Sequence, residues 1–299
     1  MNESALPWRE WVPEFVLLAL LWGSSFLFMR EGAYAFGPAP TAWVRVTFAA
    51  FMLTPVLIWR GGVPVLRQHW RTTLSSGLLN AGIPFACYAY ALMHISTGLS
   101  SILNATTPLF GAFIAWVWLG DKLNASRASG LALGFAGVVI LALDVPGGIS
   151  FKAGGAGLAV VACLLATFCY GIAGSVTKRY LQQVPSLVTT TGSLWGASIG
   201  LAIPALLTWP TESPPPHAWA ALAIAGLLCT ALAYVLYFRL MLRTGPARAM
   251  TVTYLIPVFA NLFGVMFLDE VITQWMMGGG VVIVLGTALA SGLIGPQKR

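Results

Sequence analysis

Long apolar runs, separated by short segments that carry charged residues, proline or glycine, set the pattern of this chain. A hydrocarbon layer about 30 Å thick takes roughly 20 residues of α-helix, because the helix rises about 1.5 Å per residue. The runs long enough to cross such a layer predict ten membrane-spanning helices. Their expected limits are 12–35, 39–59, 72–93, 97–119, 125–143, 155–180, 185–208, 217–242, 246–268 and 273–294.

The composition agrees with a membrane protein and disfavours several other classes. Hydrophobic residues make up 58% of the 299 residues and charged residues only 8%, whereas soluble domains carry roughly 25% charged residues. This scarcity of charge disfavours a soluble enzyme, a disordered chain and a nucleic-acid-binding domain. The cysteines lie inside apolar runs and form no CxxC pair, so we interpret them as small core residues. They are Cys87, Cys163, Cys169 and Cys229.

The basic residues lie in alternate loops between the predicted spans. Of the 16 lysines and arginines, only Arg30, Arg45 and Lys152 fall on the opposite side from the rest. Because cytoplasmic loops carry an excess of Lys and Arg, we expect both chain termini to be cytoplasmic. The expected location is the cell (inner) membrane, crossed many times. This topology also accounts for the net charge of +7 without a nucleic-acid partner.

The second half of the chain repeats the first at an offset of 149 residues (257 minus 108). The matched pairs include Gly77 with Gly226, Tyr88 with Tyr237, Pro108 with Pro257, Leu119 with Leu268, Asp121 with Glu270, and Gly130 with Gly279. At an offset of 148, Gly23 matches Gly171 and Arg30 matches Lys178.

Each half of the repeat holds five predicted spans. Because five is odd, the second half must enter the membrane with the opposite orientation. We therefore predict an all-α polytopic membrane protein of ten transmembrane helices, arranged as two inverted five-helix repeats around a central cavity. The first unit covers 1–145 and the second covers 150–299. Inverted repeats of this kind are typical of secondary transporters, whose substrate site lies near the midplane.

Several short motifs resemble the EamA family of the drug/metabolite transporter (DMT) superfamily. They are Trp22-Gly23-Ser24-Ser25-Phe26, Pro38 and Arg45 around the second span, and Pro108 with Leu119-Gly120-Asp121, Gly130 and Gly137, largely repeated in the second half. The resemblance covers nearly the whole chain as two EamA units. Two departures are Asp121, where the family usually has Glu, and Arg45, which has no basic counterpart in the second half.

The resemblance implies export of small metabolites. The aromatic-rich interior is most similar to the aromatic amino-acid exporters of the YddG type, so amino acids, including aromatic ones, are the expected substrates. The resemblance leaves other substrate classes of the superfamily open, namely drugs, sugars or nucleotide derivatives.

Three prolines near the middle of predicted spans indicate bends. Each proline removes a backbone donor and frees the carbonyl four residues earlier, which must then face protein or water rather than lipid. We expect these positions to act as hinges for alternating access, with simple packing kinks as the alternative. The prolines are Pro84, Pro108 and Pro257, and the freed carbonyls belong to Asn80, Asn104 and Thr253.

Polar and aromatic side chains recur at helical spacing in the same spans, which favours a substrate cavity over lipid-facing surface. Such a cavity suits a zwitterion with an apolar or aromatic side chain. Hydrogen bonding between helices is the alternative for each residue taken alone. The predicted cavity residues are Trp22, Ser25, Asn80, Tyr88, Asn104, Thr107, Tyr170, Tyr234, Tyr237, Tyr254 and Asn261, with Ser24 as a further candidate.

Arg45 is a basic residue well inside a predicted span. A charge at that depth is by default a functional hypothesis, and here it would contact a substrate carboxylate. Pairing with Glu31 and snorkelling toward the membrane surface are the competing interpretations.

The sequence also bears on the energy source of transport. The nine acidic residues and three histidines all lie at span ends or in loops, so a proton relay at depth is not predicted and uniport is favoured. The chain has no GxxxxGK[ST] phosphate loop, so ATP is not expected to drive transport. No enzyme activity, cofactor or metal is expected, and one chain suffices for a complete pathway. A helix-bundle receptor or scaffold is the alternative outside transport.

Overall fold

The computed structural model describes residues 8–121, 124–143, 155–245 and 249–292. Within these four ranges the regular structure is helical, and no β-strand occurs. The α-helices are α1 (Trp8–Phe36), α2 (Pro38–Trp59), α3 (Val63–Gly77), α4 (Ile83–Leu92), α5 (Thr97–Asn104), α6 (Thr107–Ile114), α7 (Ala125–Leu143), α8 (Ala156–Tyr180), α9 (Ser186–Leu207), α10 (Pro216–Gly226), α11 (Ala233–Thr244), α12 (Ile256–Leu268) and α13 (Gln274–Ala290).

Eight helical segments of the described chain are long and apolar enough to cross a membrane, which makes this an all-helical polytopic membrane protein. They are Trp11–Phe36, Pro38–Trp59, Thr97–Leu119, Ala125–Ala142, Ala156–Tyr180, Ser186–Leu207, Pro216–Thr244 and Thr251–Leu268. The last apolar helix, Gln274–Ala290, is shorter. The predicted third span falls on α3 and α4, which are joined without a break through a π-helical turn at Leu78–Gly82. The total of ten spans stays a prediction.

The α-helical hydrogen-bond pattern changes near each of the three predicted hinge prolines. The π-helical turn Leu78–Gly82 directly precedes the helix that contains Pro84. A non-helical turn separates α5 from α6 just before Pro108, and a 3-10 turn precedes Pro257. A proline has no N–H to donate, so the helical hydrogen-bond ladder loses one bond at each of these points. At the second break, the hydroxyl of Thr107 donates to the freed carbonyl of Asn104 at 2.8 Å.

Residues that the sequence offset matches also have matching surroundings. A Cβ atom added to Gly23 would lie 2.5 Å from Cβ of Phe259, and one added to Gly171 would lie 2.9 Å from the carbonyl carbon of Phe110. Both glycines therefore let a long helix approach the helix that follows a mid-span break. A second π-helical turn, Leu227–Leu232, occupies the position that corresponds to Leu78–Gly82.

The helical segments Thr97–Leu119 and Thr251–Leu268 end in the same backbone conformation. Gly120 and Asp269 adopt left-handed backbone conformations with φ values of 74° and 53°. The N–H group of Asp121 donates to Ala115 at 3.2 Å, and that of Glu270 donates to Gly264 at 3.1 Å. This is the Schellman type of helix end, and in both cases a carboxylate follows it directly.

Candidate functional site

Arg45 is buried inside the bundle, with 4% of its surface exposed. Its Nε donates to the hydroxyl of Thr230 at 2.9 Å, and Nη1 donates to the sulfur of Met29 at 3.2 Å. The guanidinium carbon lies 4.0 Å from the ring centre of Phe85. Within the described ranges, no carboxylate lies at ion-pairing distance from Arg45. Arg45 therefore does not pair with Glu31 and does not extend to the membrane surface, so neither competing interpretation agrees with the structure.

Local irregularity in the chain between α10 and α11 positions the partner of Arg45. In the π-helical turn Leu227–Leu232, the hydroxyl of Thr230 donates to the carbonyl of Ala225, five residues earlier, at 2.8 Å. Because a hydroxyl donates once and can accept twice, it still accepts from Arg45. A Cβ atom on Gly226 would lie 2.7 Å from the carbonyl oxygen of Arg45, so glycine allows α2 to approach this turn.

Tyr88 connects the third and fourth predicted spans with α8. It is only 2% exposed, and its hydroxyl donates to the side-chain oxygen of Asn104 at 2.9 Å. Its ring lies 6.4 Å from that of Tyr170 in a stacked arrangement and 5.7 Å from Phe26 edge to face. Such ring pairs favour a fixed orientation. Tyr170 in turn lies close enough to Arg45 to interact with its charge.

A second aromatic group lies between α1 and α11. The ring of Trp22 lies 5.3 Å from Tyr237 and 6.5 Å from Tyr234. Asn80 lies beside Tyr234, and Tyr234 also lies close to Arg45. We define the central cluster as the predicted residues that these contacts join: Trp22, Arg45, Asn80, Tyr88, Asn104, Tyr170, Tyr234 and Tyr237.

Within the described chain, four predicted cavity residues have no polar contact with a side chain of the central cluster. The hydroxyl of Ser25 donates to the carbonyl of Trp22 in its own helix at 2.7 Å, and Thr107 donates to the Asn104 carbonyl. Tyr254 lies beside Ser291. The Asn261 amide donates to the carbonyl of Pro257 at 2.8 Å. Their contribution to a cavity stays a prediction.

Sequence reasoning missed four side chains that surround the cluster, namely Phe26, Met29, Phe85 and Thr230. Phe26 belongs to the Trp22-Gly23-Ser24-Ser25-Phe26 motif, and Phe85 directly follows Pro84, so both had a local signal. Thr230 had none, because its role depends on the π-helical turn and on contact with a residue 185 positions away.

Two ion pairs lie at opposite ends of the helical segment Thr97–Leu119. At its beginning, Arg30 pairs with Glu270. The Glu270 carboxylate also accepts from the N–H and the hydroxyl of Thr97, at 2.8 and 2.7 Å. Just beyond its end, Lys178 lies 2.8 Å from Asp121. No group of three or more His, Cys, Asp or Glu side chains that could hold a metal ion occurs in the described part of the chain.

An ionisable side chain inside a polytopic helical bundle indicates a functional site, and Arg45 is such a side chain. The sequence model of the EamA-like transporter family matches residues 11–143 and again residues 157–292. The chain therefore belongs to the EamA-like transporter family, within the drug/metabolite transporter superfamily. Membrane transport is its general function, and a multi-pass membrane location follows.

Related proteins carry names of the same kind. The uncharacterized transporter YvbV of Bacillus subtilis is 25% identical, over 94% of this chain and 91% of its own length. A probable terminal-alkyne amino-acid exporter of Streptantibioticus cattleyicolor is 26% identical, over 92% of this chain and 91% of its own length. The uncharacterized inner membrane transporter YedA of Escherichia coli K12 is 24% identical, over 97% of this chain and 95% of its own length.

A solved crystal structure shares the fold. It aligns with a TM-score of 0.66 and 22% sequence identity, and covers 95% of this chain and 97% of the other.

Proposed function

We propose that this protein exports amino acids, including aromatic ones, by alternating access across the cell inner membrane. The observation that carries the proposal is the buried guanidinium of Arg45, which has no carboxylate partner in the described chain. A charge at this depth is costly, so it is retained where it binds something. The carboxylate of an amino acid is the partner with matching charge and geometry, because a guanidinium binds a carboxylate through two parallel hydrogen bonds.

The rest of the central cluster suits the other parts of an amino acid. The rings of Trp22, Tyr88 and Tyr170 offer apolar faces for an aromatic side chain. The amide oxygens of Asn80 and Asn104 and the tyrosine hydroxyls accept hydrogen bonds from an ammonium group. This assignment follows the resemblance to the aromatic amino-acid exporters of the YddG type. The name of the Streptantibioticus relative, a probable amino-acid exporter, points to the same substrate class.

The proposed architecture is ten spans in two inverted five-helix repeats, 1–145 and 150–299. Three observations support it: the family model matches twice, the matched glycines Gly23 and Gly171 pack alike, and the two Schellman ends carry equivalent carboxylates. Both termini are cytoplasmic in this proposal, and a monomer holds the whole pathway. Pro84, Pro108 and Pro257 serve as hinges, since each adjoins a change in the α-helical hydrogen-bond pattern.

The energy source proposed is the gradient of the substrate itself. The titratable members of the central cluster are Arg45 and four tyrosines, so none of them is a carboxylate or a histidine that exchanges protons near neutral pH. Uniport is therefore the proposed mode of transport.

Two alternatives differ from this proposal in the transport that they predict. A DMT exporter of drugs, sugars or nucleotide derivatives would transport none of the amino acids, and a receptor or scaffold would transport nothing. Nucleotide derivatives suit the site less well, because Arg45 is the single lysine or arginine in the central cluster and phosphates bind several cationic groups.

Reconstitution in liposomes tests the proposal. The purified protein is placed in vesicles loaded with unlabelled tryptophan, phenylalanine, leucine or glutamate, and entry of labelled tryptophan by counterflow is measured. We expect counterflow with tryptophan and phenylalanine, unchanged by a pH gradient, and none in protein-free vesicles. Absence of flux with every amino acid would reject the substrate, and acceleration by a pH gradient would reject uniport.

A further inference from the structure

Arg30–Glu270 and Lys178–Asp121 are equivalent ion pairs in the two halves of the chain. The sequence offsets match Arg30 with Lys178 and Asp121 with Glu270. Each carboxylate follows a left-handed residue at a Schellman helix end, and each contacts a cation near the end of a long helix, α1 or α8. The two pairs are therefore one structural device that occurs once at each end of the bundle.

The two pairs differ in how firmly they are held. The side chain of Glu270 is 10% exposed and that of Arg30 is 23% exposed, whereas Asp121 and Lys178 are 38% and 55% exposed. Exposed ion pairs contribute little to stability, but breaking a buried one leaves an uncompensated charge. Of the two matched pairs, the one at Glu270 is therefore the harder to open. Near the other end, Glu14 pairs separately with Arg239 and Arg243, whose side chains are 57% and 39% exposed.

The hydrogen bonds around Glu270 increase this difference. Its carboxylate accepts from the N–H and hydroxyl of Thr97 and from the N–H of Gly98 at 3.3 Å, so it also caps the beginning of α5. In the second half, the sequence offset places Pro246 opposite Thr97. Proline has neither an N–H nor a hydroxyl to donate. The sequence of the second half therefore does not supply the two strongest of these bonds.

We infer that the two ion pairs are unequal end locks, which hold the empty transporter closed at the Glu270 end and let it open first at the Asp121 end. This inference rests on the proposed function, because an alternating-access cycle must release one end while the other closes. In the proposed topology the Asp121 end is cytoplasmic. The resting protein then loads substrate from the cytoplasm, which is the direction that export requires.

Pulsed electron-spin distance measurements test the inference without a substrate. The native cysteines are first replaced by alanine, and transport by this background is verified. One pair of nitroxide labels is attached at the exposed residues Tyr34 and Val271, beside the Glu270 lock, through Tyr34→Cys and Val271→Cys. A second sample carries labels at the exposed residues Thr177 and Ala125, beside the Asp121 lock, through Thr177→Cys and Ala125→Cys.

Glu270→Gln removes the charge of the lock, and Asp269→Asn is its matched control. Asp269 is exposed and adopts a left-handed conformation that asparagine also tolerates, so its replacement removes one charge without touching the lock. Arg30→Gln is a second variant, which breaks the ion pair and leaves the bonds from Thr97 to Glu270 intact.

In Glu270→Gln and Arg30→Gln, we expect the ratio of long to short Tyr34–Val271 distances to rise about tenfold, equivalent to about 1.4 kcal/mol. The Thr177–Ala125 distances should shorten in the same variants, while Asp269→Asn leaves both unchanged. Asp121→Asn should change the ratios less than Glu270→Gln does.

The inference is wrong if Glu270→Gln behaves like Asp269→Asn, or if Asp121→Asn causes an equal or larger shift. These outcomes can be distinguished from a failure of the substrate assignment. If the two label distances change in opposite directions but tryptophan is not transported, the inference about the locks holds and the substrate assignment is wrong. If tryptophan is transported normally but the label distances do not change in the variants, the substrate assignment holds and the inference about the locks is wrong.

Discussion

The Nε group of Arg45 in the first half of the chain donates a 2.9 Å hydrogen bond to the hydroxyl of Thr230 in the second half. The same hydroxyl donates to the carbonyl of Ala225, so Thr230 connects the guanidinium to the π-helical turn. The orientation of the proposed carboxylate-binding group thus depends on an irregular helix in the other half.

Replacing Thr230 tests this dependence. Thr230→Val keeps the side-chain shape but leaves the Nε group of Arg45 without its acceptor, which costs about 1–3 kcal/mol for a buried donor. We expect the KM for tryptophan counterflow to rise about tenfold. Thr230→Ser retains the hydroxyl and should stay close to the native value. Equal KM values for the two variants would contradict this role.

The Tyr88 hydroxyl holds the Asn104 side chain at 2.9 Å. Tyr88→Phe removes that bond, and a side-chain hydrogen bond of this kind is worth about 1 kcal/mol. We expect tryptophan transport to weaken about fivefold, and Tyr88→Ala to abolish it because the ring contact with Tyr170 is also lost. Tyr90→Phe is the control, since Tyr90 contacts His94 outside the central cluster. Unchanged counterflow in Tyr88→Ala would remove Tyr88 from the site.

The hinge role of the matched prolines predicts an effect on rate rather than on binding. With alanine at Pro108 or Pro257, the helix can continue across the break, and the cycle loses a bending point. We expect the maximal counterflow rate to fall about tenfold for either variant, with little change in KM. Pro55→Ala is the control, because Pro55 lies on an exposed face inside α2. Native rates in both hinge variants would show that the breaks are packing features.

Close packing of glycines predicts a difference in stability. A Cβ atom on Gly196 would collide with the backbone of Leu74, whereas one on Gly174 would meet nothing within 4 Å. Gly196→Ala should therefore cost about 1–3 kcal/mol through overpacking, and Gly174→Ala should gain about 0.4–1 kcal/mol. Melting temperatures in detergent measure the difference. Similar melting temperatures for the two variants would contradict the observed contact between α3 and α9.

Hydropathy predicts the helices well where apolar runs end abruptly. The run 125–143 coincides with α7, and the run 97–119 coincides with the helical segment Thr97–Leu119. The third run fails at its start: the pattern places it at residue 72, but α3 begins at Val63. Arg67 and Arg71 resemble loop residues in sequence, yet long basic side chains can extend from a helix into water.

The site is less predictable, because its contacts join distant parts of the chain. Helical spacing identifies Tyr88 and Asn104, which lie one helix apart in sequence and form a direct bond. Ser25 fits the same spacing, but a hydroxyl within a helix can bond to its own backbone instead. Nothing local indicates that Glu270 joins Arg30 and Thr97, since that contact exists only after the bundle has formed.

The central claim is that Arg45 binds the carboxylate of an amino-acid substrate. Competition of unlabelled tryptophan and tryptamine against labelled tryptophan counterflow tests it most directly, because the two compounds share the indole ring and the amine but only tryptophan has the carboxylate. Arg67→Gln, at an exposed position on α3, is the matched control.

The account predicts that native protein and Arg67→Gln prefer tryptophan by about a hundredfold, as expected for a charge-assisted bond of about 3 kcal/mol. In Arg45→Gln that preference should disappear. Equal competition by tryptophan and tryptamine in the native protein, or an undiminished preference in Arg45→Gln, would contradict the account.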